Sequence, residues 1–266
     1  MRTIIIVGMP RSGTSWLGQI INSHPQVAFR TEPLFAYRFK NRLNPQSKKS
    51  EIQAFLDDLL AAEDDDFLMQ RHHVQSGAYP DFRKVDAGFL AYKTSRHHEL
   101  LDTFLSSGLD IHVIGIVRHP CGAINSWIHS QKEFHKKGCV VAQDWKSGAC
   151  RKDGVGEYWG FEDWVSTTHH FLDLESRYSE FSLVKYSDLV RQPTEISKAI
   201  FDKAGLSWCE QTEEFLCNSQ REHNADPYAV FKDRSVNDRW MSELQPDLID
   251  EILKRVRSEG LDRFLE

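Results

Sequence analysis

The chain has 266 residues, and its 33 Lys and Arg against 39 Asp and Glu give a formal net charge of −6. With 40% apolar and 27% charged residues, and only 15 Gly and 9 Pro, it reads as globular and not as disordered or linker-rich. An acidic balance argues against a sequence-independent nucleic-acid binder, which needs clustered Lys and Arg, but leaves room for a local anion site.

In chain order, residues 3–7 are a short, β-branched apolar run that predicts a buried strand. The run stops at Gly8, too short for a secretory h-region or a membrane span, and no later window reaches eighteen apolar residues. We therefore expect a cytoplasmic protein with no membrane partner. Gly8 to Gly13 reads as a turn, and Thr14 to Ser23 as a helix with Leu17, Ile20 and Ile21 on its apolar side. Residues 51–60 carry helical spacing through Ile52, Phe55, Leu56, Leu59 and Leu60. Residues 88–92 read as a second strand, 97–107 as a helix ending at Gly108, and 111–117 as another buried strand. A helix is expected after Pro120, which suits a first helical turn. A long helix over 157–178, a strand over 181–185 and helices over 194–204 and 246–258 complete the pattern. Alternating apolar strands and helices imply an α/β fold with a mostly parallel sheet, here as a single domain over 1–266. The polar, glycine-containing stretch 129–156 breaks the alternation and reads as a long irregular excursion, either a binding loop or a passive insertion. The five cysteines, Cys121, Cys139, Cys150, Cys209 and Cys217, are odd in number and contain no CxxC pair. They fit a reduced compartment better than a disulfide framework and offer no zinc spacing, with Cys139–Cys150 as the pairing left open.

The segment Gly8-Met9-Pro10-Arg11-Ser12-Gly13-Thr14-Ser15-Trp16 follows a strand and opens a helix. In that context loop amides and a helix N-terminus cradle an anion. The spacing is that of a nucleotide P-loop, except that Thr14 stands where the phosphate-binding lysine would be. The cation has moved into the loop as Arg11. This makes the expected architecture a P-loop-like three-layer fold, with the sheet flanked by helices.

The segment resembles the 5′-phosphosulfate-binding loop of sulfotransferases that use 3′-phosphoadenylyl sulfate (PAPS). Its arginine form, followed by His24-Pro25, is closer to the tyrosylprotein and carbohydrate enzymes than to the cytosolic phenol and steroid enzymes, which carry lysine. The resemblance implies that Arg11, Ser12, Gly13, Thr14 and Ser15 hold the phosphosulfate and that Trp16 stacks on adenine. It implies a 3′-phosphate site at Arg118, which follows the strand 111–117, and at Ser126 eight residues on. A strand-end arginine offers a phosphate a two-pronged fork. Tyr186, in Tyr186-Ser187-Asp188-Leu189, resembles the family tyrosine beside the adenosine. Arg234 and Ser235 resemble its C-terminal cofactor loop, although Asn237 or Asp238 replaces a family glycine. Lys93 matches a lysine near the transferred group. Ser95 stands where the phenol and steroid enzymes have their histidine base. The resemblance to the arginine-type enzymes makes Glu32, 21 residues after Arg11, the candidate base, with His97 and His98 in reserve. The implied reaction moves a sulfuryl group from PAPS to a hydroxyl or amine of a small-molecule acceptor, leaves 3′-phosphoadenosine 5′-phosphate (PAP), and requires no metal. Two other classes stay open: a P-loop phosphoryl-transfer enzyme, and a PAP-binding protein that transfers nothing.

Overall fold

In the computed structural model, residues 1–221, 230 and 238–266 are described. Arg234 and Ser235 lie outside the described residues. A five-stranded sheet in the order β2-β3-β1-β4-β5 forms the centre. All its strand pairs are parallel. The strands are β1 (Arg2–Val7), β2 (Val27–Thr31), β3 (Phe89–Thr94), β4 (Ile111–Val117) and β5 (Phe181–Lys185).

The helices in the first half are α1 (Thr14–Asn22), α2 (Lys49–Ala61), α3 (Asp66–Met69), α4 (Arg71–Gln75), α5 (Leu101–Leu105) and α6 (Pro120–Ile128). Those in the second half are α7 (Val141–Ser147), α8 (Gly160–Arg177), α9 (Tyr186–Arg191), α10 (Pro193–Ala204), α11 (Glu210–Arg221), α12 (Trp240–Glu243) and α13 (Pro246–Ser258).

Strand side chains alternate between faces, and β1 shows how this builds three layers. Ile5 and Val7 join a core with α2, α5, α6, α8 and α13. Ile4 and Ile6 join a second core with α1, α9, α10 and α11. The fold is the P-loop-like α/β architecture expected from the sequence.

β2 is a strand the hydrophobic pattern does not announce, because Arg30 sits inside it and is almost fully buried. Its Nε donates to the Leu59 carbonyl (3.1 Å), Nη1 to Phe29 (3.0 Å) and Nη2 to Leu60 (2.7 Å). The guanidinium thereby satisfies carbonyls at the C-terminal end of α2, which have no partner within the helix.

The cysteine expectation is corrected. Cys139 and Cys150 form a disulfide, while Cys121, Cys209 and Cys217 are free. The bridge spans α7 inside the 129–156 stretch, where helix formation and a buried Trp145 replace the expected irregular loop. It also removes the cysteine argument for a reducing compartment. Among the described residues no helix is long and apolar enough to cross a membrane.

In this strand order the chain runs from central β1 outward to β2, returns beside β1 as β3, and crosses to β4. The direction of winding therefore reverses next to β1. In open α/β sheets, ligands bind outside the carboxyl ends of the strands at such a reversal.

Candidate active site

Each strand brings one candidate residue to that carboxyl edge. Arg11 follows β1, Glu32 follows β2, Lys93 is the penultimate residue of β3, Arg118 follows β4 and Tyr186 follows β5. The strand register aligns these ends, pairing Ile6 with Lys93, Thr31 with Lys93, and Val117 with Lys185.

The loop after β1 turns through a bond from the Ser12 N–H to the Met9 carbonyl (3.1 Å) and enters α1 at Gly13. Gly13 has φ +92°, and a Cβ there would lie 2.4 Å from the Tyr186 ring. Only glycine combines that backbone with that contact. The first turn of α1 carries no acidic residue and no side-chain cap. The Ser12 hydroxyl is buried without a hydrogen-bond partner. An uncapped helix start beside an orphaned hydroxyl is what an anionic group would satisfy.

The cations converge on this loop. Arg11 Nε donates to Ser126 Oγ (3.1 Å), and Arg11 Nη1 lies 3.4 Å from the Glu133 carboxylate. Arg118 Nη1 donates to the Arg11 carbonyl (3.1 Å), and its guanidinium sits 4.9 Å from the centre of the Tyr186 ring. Trp16 meets the same ring edge-on at 6.2 Å and donates through Nε1 to Ser219 Oγ (3.1 Å). Thus the structure brings Arg11, Ser12, Gly13, Trp16, Arg118, Ser126 and Tyr186 together. Thr14 is buried and Ser15 half-buried at the start of α1.

Glu32 forms the other half of the site. Its carboxylate accepts from Lys93 Nζ (3.2 Å), Thr94 Oγ1 (3.1 Å), the Ser95 N–H (2.9 Å) and Ser95 Oγ (2.7 Å). Arg96 adds a second cation at 3.8 Å and also pairs with Glu157 at 3.5 Å. Burial alone pushes the Glu32 carboxyl up, but Lys93, Arg96 and the two Ser95 bonds outweigh it and hold it at about 2. The group is a carboxylate at neutral pH, with low proton affinity while those partners stay.

The reserve histidines are differently engaged. His97 Nδ1 lies 3.0 Å from Glu99. His98 is buried, contacts Thr167 Oγ1 through Nδ1 (3.3 Å) and stacks on Tyr158 at 4.1 Å. Burial drives its pKa down to about 3, so it is neutral. His119, stacked on Trp240 at 4.5 Å, is lowered to about 4 by burial and by Arg118.

Sequence reasoning did not reach Arg96, Glu133 or Glu157. One signal was visible only in structure: Arg11 (φ 70°), Glu32 (φ 46°) and His97 (φ 58°) all have left-handed backbones, a strained state for non-glycine residues that collects at functional sites. Among the described residues the one cluster with metal-like spacing is Cys139, Asp144 and Cys150, two of which are consumed by the disulfide.

A P-loop-like loop whose phosphate-binding lysine is replaced, with a strand-end arginine beside it, is a candidate anion site. A family model described as "Sulfotransferase family" matches residues 3–210, and the chain belongs to that family. Among solved structures, it resembles mouse sulfotransferase SULT7A1 complexed with PAP at 16% identity, covering 99% of this chain and 88% of that one, with a TM-score of 0.57. The sulfotransferase from Alicyclobacillus acidocaldarius matches at 14% identity over 100% and 96% of the two chains, with a TM-score of 0.54. The sulfotransferase domain of the Synechococcus PCC 7002 olefin synthase matches at 16% identity over 96% and 94%, with a TM-score of 0.53. At such identities the likeness concerns the fold. No curated protein matches the chain.

Proposed function

We propose that this sulfotransferase takes its sulfuryl group from PAPS and transfers it to a hydroxyl or amine of a small molecule, leaving PAP. One observation carries the reading: Arg11, Arg118 and Ser126 meet at an uncapped helix start, and the strand ending there is followed at once by Arg118. A magnesium-dependent P-loop enzyme would instead keep a carboxylate there free for the metal, whereas Glu133, the carboxylate at this point, is paired with Arg11. Here the positive charge comes from side chains, and no metal enters the scheme.

PAPS, when bound, supplies an activated sulfuryl group on a phosphate leaving group. Loop amides, Ser12, Thr14, Ser15 and Arg11 bind the phosphosulfate, where fixed N–H dipoles and a cation stabilise developing negative charge. Arg118 and Ser126 read the 3′-phosphate. Tyr186 and Trp16 flank the adenosine, with Arg234 and Ser235 assigned to the same end by resemblance. Lys93 serves the transferred group, and Glu32 takes the acceptor's proton. The low proton affinity of Glu32 is compatible with that role through Lys93. A Lys93 drawn off Glu32 toward the reacting group removes the nearest cation. Burial then raises the proton affinity of the carboxylate it leaves. Arg96 and the two Ser95 bonds remain, so one movement places a cation and removes one of the causes that hold the carboxyl low.

Thermal shift with PAP and AMP tests the donor assignment. PAP is expected to raise the melting temperature more than AMP at equal concentration, and equal shifts refute the 3′-phosphate site. With labelled PAPS and a panel of metabolites, Glu32→Gln is expected to keep PAP binding and lose transfer. A fully active variant would remove Glu32 from the role of base.

A further inference from the structure

The 129–156 excursion sends a carboxylate into the donor loop. Glu133 leaves the end of α6 through a bond from its N–H to Ser130 Oγ (3.3 Å) and reaches Arg11 Nη1 at 3.4 Å. Both side chains are mostly buried, at 16% and 18% exposure, so solvent screens the pair poorly. Arg11 is therefore already engaged, with Nε on Ser126 and one Nη on Glu133. Glu133 lies at the base of a segment stapled further on by the Cys139–Cys150 bridge, and Glu157, just beyond that segment, pairs with Arg96.

Resting on the PAPS reading, we propose that Glu133 is an internal counter-anion. It occupies the Arg11 guanidinium in the donor-free protein and gives it up when the donor's phosphate arrives. A buried guanidinium cannot hold both without bringing the carboxylate against the phosphate charge, and like charges at such range repel strongly. Glu133 thus lowers affinity for PAPS and for PAP alike, and by the same coupling hastens departure of the product. It holds Arg11 in place between turnovers without touching the reacting atoms, which makes it a positioning residue.

The test is calorimetric titration of PAP into wild type, Glu133→Gln, Arg11→Met and the double variant, together with PAP dissociation rates by stopped flow. Glu133→Gln is expected to bind PAP about tenfold tighter, within the usual range for coupling between two ligands of one site. Dissociation should slow with it. In the Arg11→Met background the same substitution should change affinity less than twofold. Glu133→Asp keeps the charge but shortens the reach, and should fall between wild type and Gln. A purely structural role would weaken PAP binding in every Glu133 variant. Unchanged or weaker binding by Glu133→Gln overturns the inference, as does a tightening that persists without Arg11. A wild type that binds no PAP would instead overturn the donor assignment, and this inference with it.

Discussion

Replacing Glu32 by glutamine in the donor-free protein tests the charge arrangement independently of any reaction. Glutamine keeps the shape and removes the charge that holds Lys93 and Arg96. At about 1.36 kcal/mol per pH unit, holding the carboxyl near 2 against an ordinary 4.5 amounts to on the order of 3 kcal/mol of stability. Breaking a buried ion pair by removing one partner costs about 3–5 kcal/mol, a similar size. The two cations keep some exposure and Arg96 retains Glu157, which places the loss at the lower end. The sign follows from the direction of the shift. The folded titration lies below the unfolded one, so the contribution is complete above pH 4.5 and is lost as pH falls toward 2. Urea denaturation of wild type and Glu32→Gln should therefore differ by about 3 kcal/mol at pH 7 and by less than half of that near pH 3, since only wild type carries the titrating group. A gap that stays constant from pH 7 to pH 3, or that is under about 0.5 kcal/mol at neutrality, refutes the ion-pair account.

Two further substitutions probe the frame around the site. Gly13→Ala places a Cβ 2.4 Å from the Tyr186 ring at φ +92°. It should cost at least about 2 kcal/mol in urea denaturation and sharply reduce PAP affinity, because the strain falls on the loop itself. An unchanged urea midpoint would contradict the packing described. The Cys139–Cys150 bridge closes a short loop, with a sequence separation of 11. Chain entropy for such a loop corresponds to about 3 kcal/mol, so Cys139→Ser, or reduction of wild type, should lower the melting temperature by several degrees. A melt insensitive to reductant would mean that the bridge adds nothing.

How much was legible in the sequence differs between elements for physical reasons. β1 and β4 are buried on both faces, so they read as largely apolar runs, and the shorter edge strand β5 carries its signal on Phe181, Leu183 and Val184. β2 did not, because it holds a buried arginine whose acceptors lie about 30 positions away in α2. α11 was missed as well. The loop after β1 was legible as an anion-site candidate because its spacing, its preceding strand and its following helix are all local. The environment of Glu32 was not. Ser95, noteworthy in the sequence only for not being histidine, supplies two of the bonds to that carboxylate across 63 positions. That contact exists only because β2 and β3 pair in one register. Glu133 reaches Arg11 across 122 positions through a disulfide-stapled excursion that composition alone marked as loop.

The charge arithmetic acquires a mechanism at this edge of the sheet. A chain of net charge −6 is a poor host for a polyanion if its anion site must draw on surplus positive charge. In this fold three of the cations are already matched: Arg11 by Glu133, Lys93 by Glu32, and Arg96 by Glu32 and Glu157. The carboxylates keep buried cations from standing alone, which would destabilise the donor-free fold. On the PAPS reading, donor binding is then an exchange in which phosphate and sulfuryl oxygens replace carboxylates on the same cations. Exchange binds less tightly than addition, because each new ion pair is formed by breaking another. On that reading it makes the carboxylates responsive: Glu133 is released from the loop, and Glu32 gains some affinity for a proton when Lys93 leaves it, with Arg96 and Ser95 still in place. With Glu32 as the proposed base, its proton affinity rises on donor binding, and that ordering follows from shared cations without any large movement of the sheet.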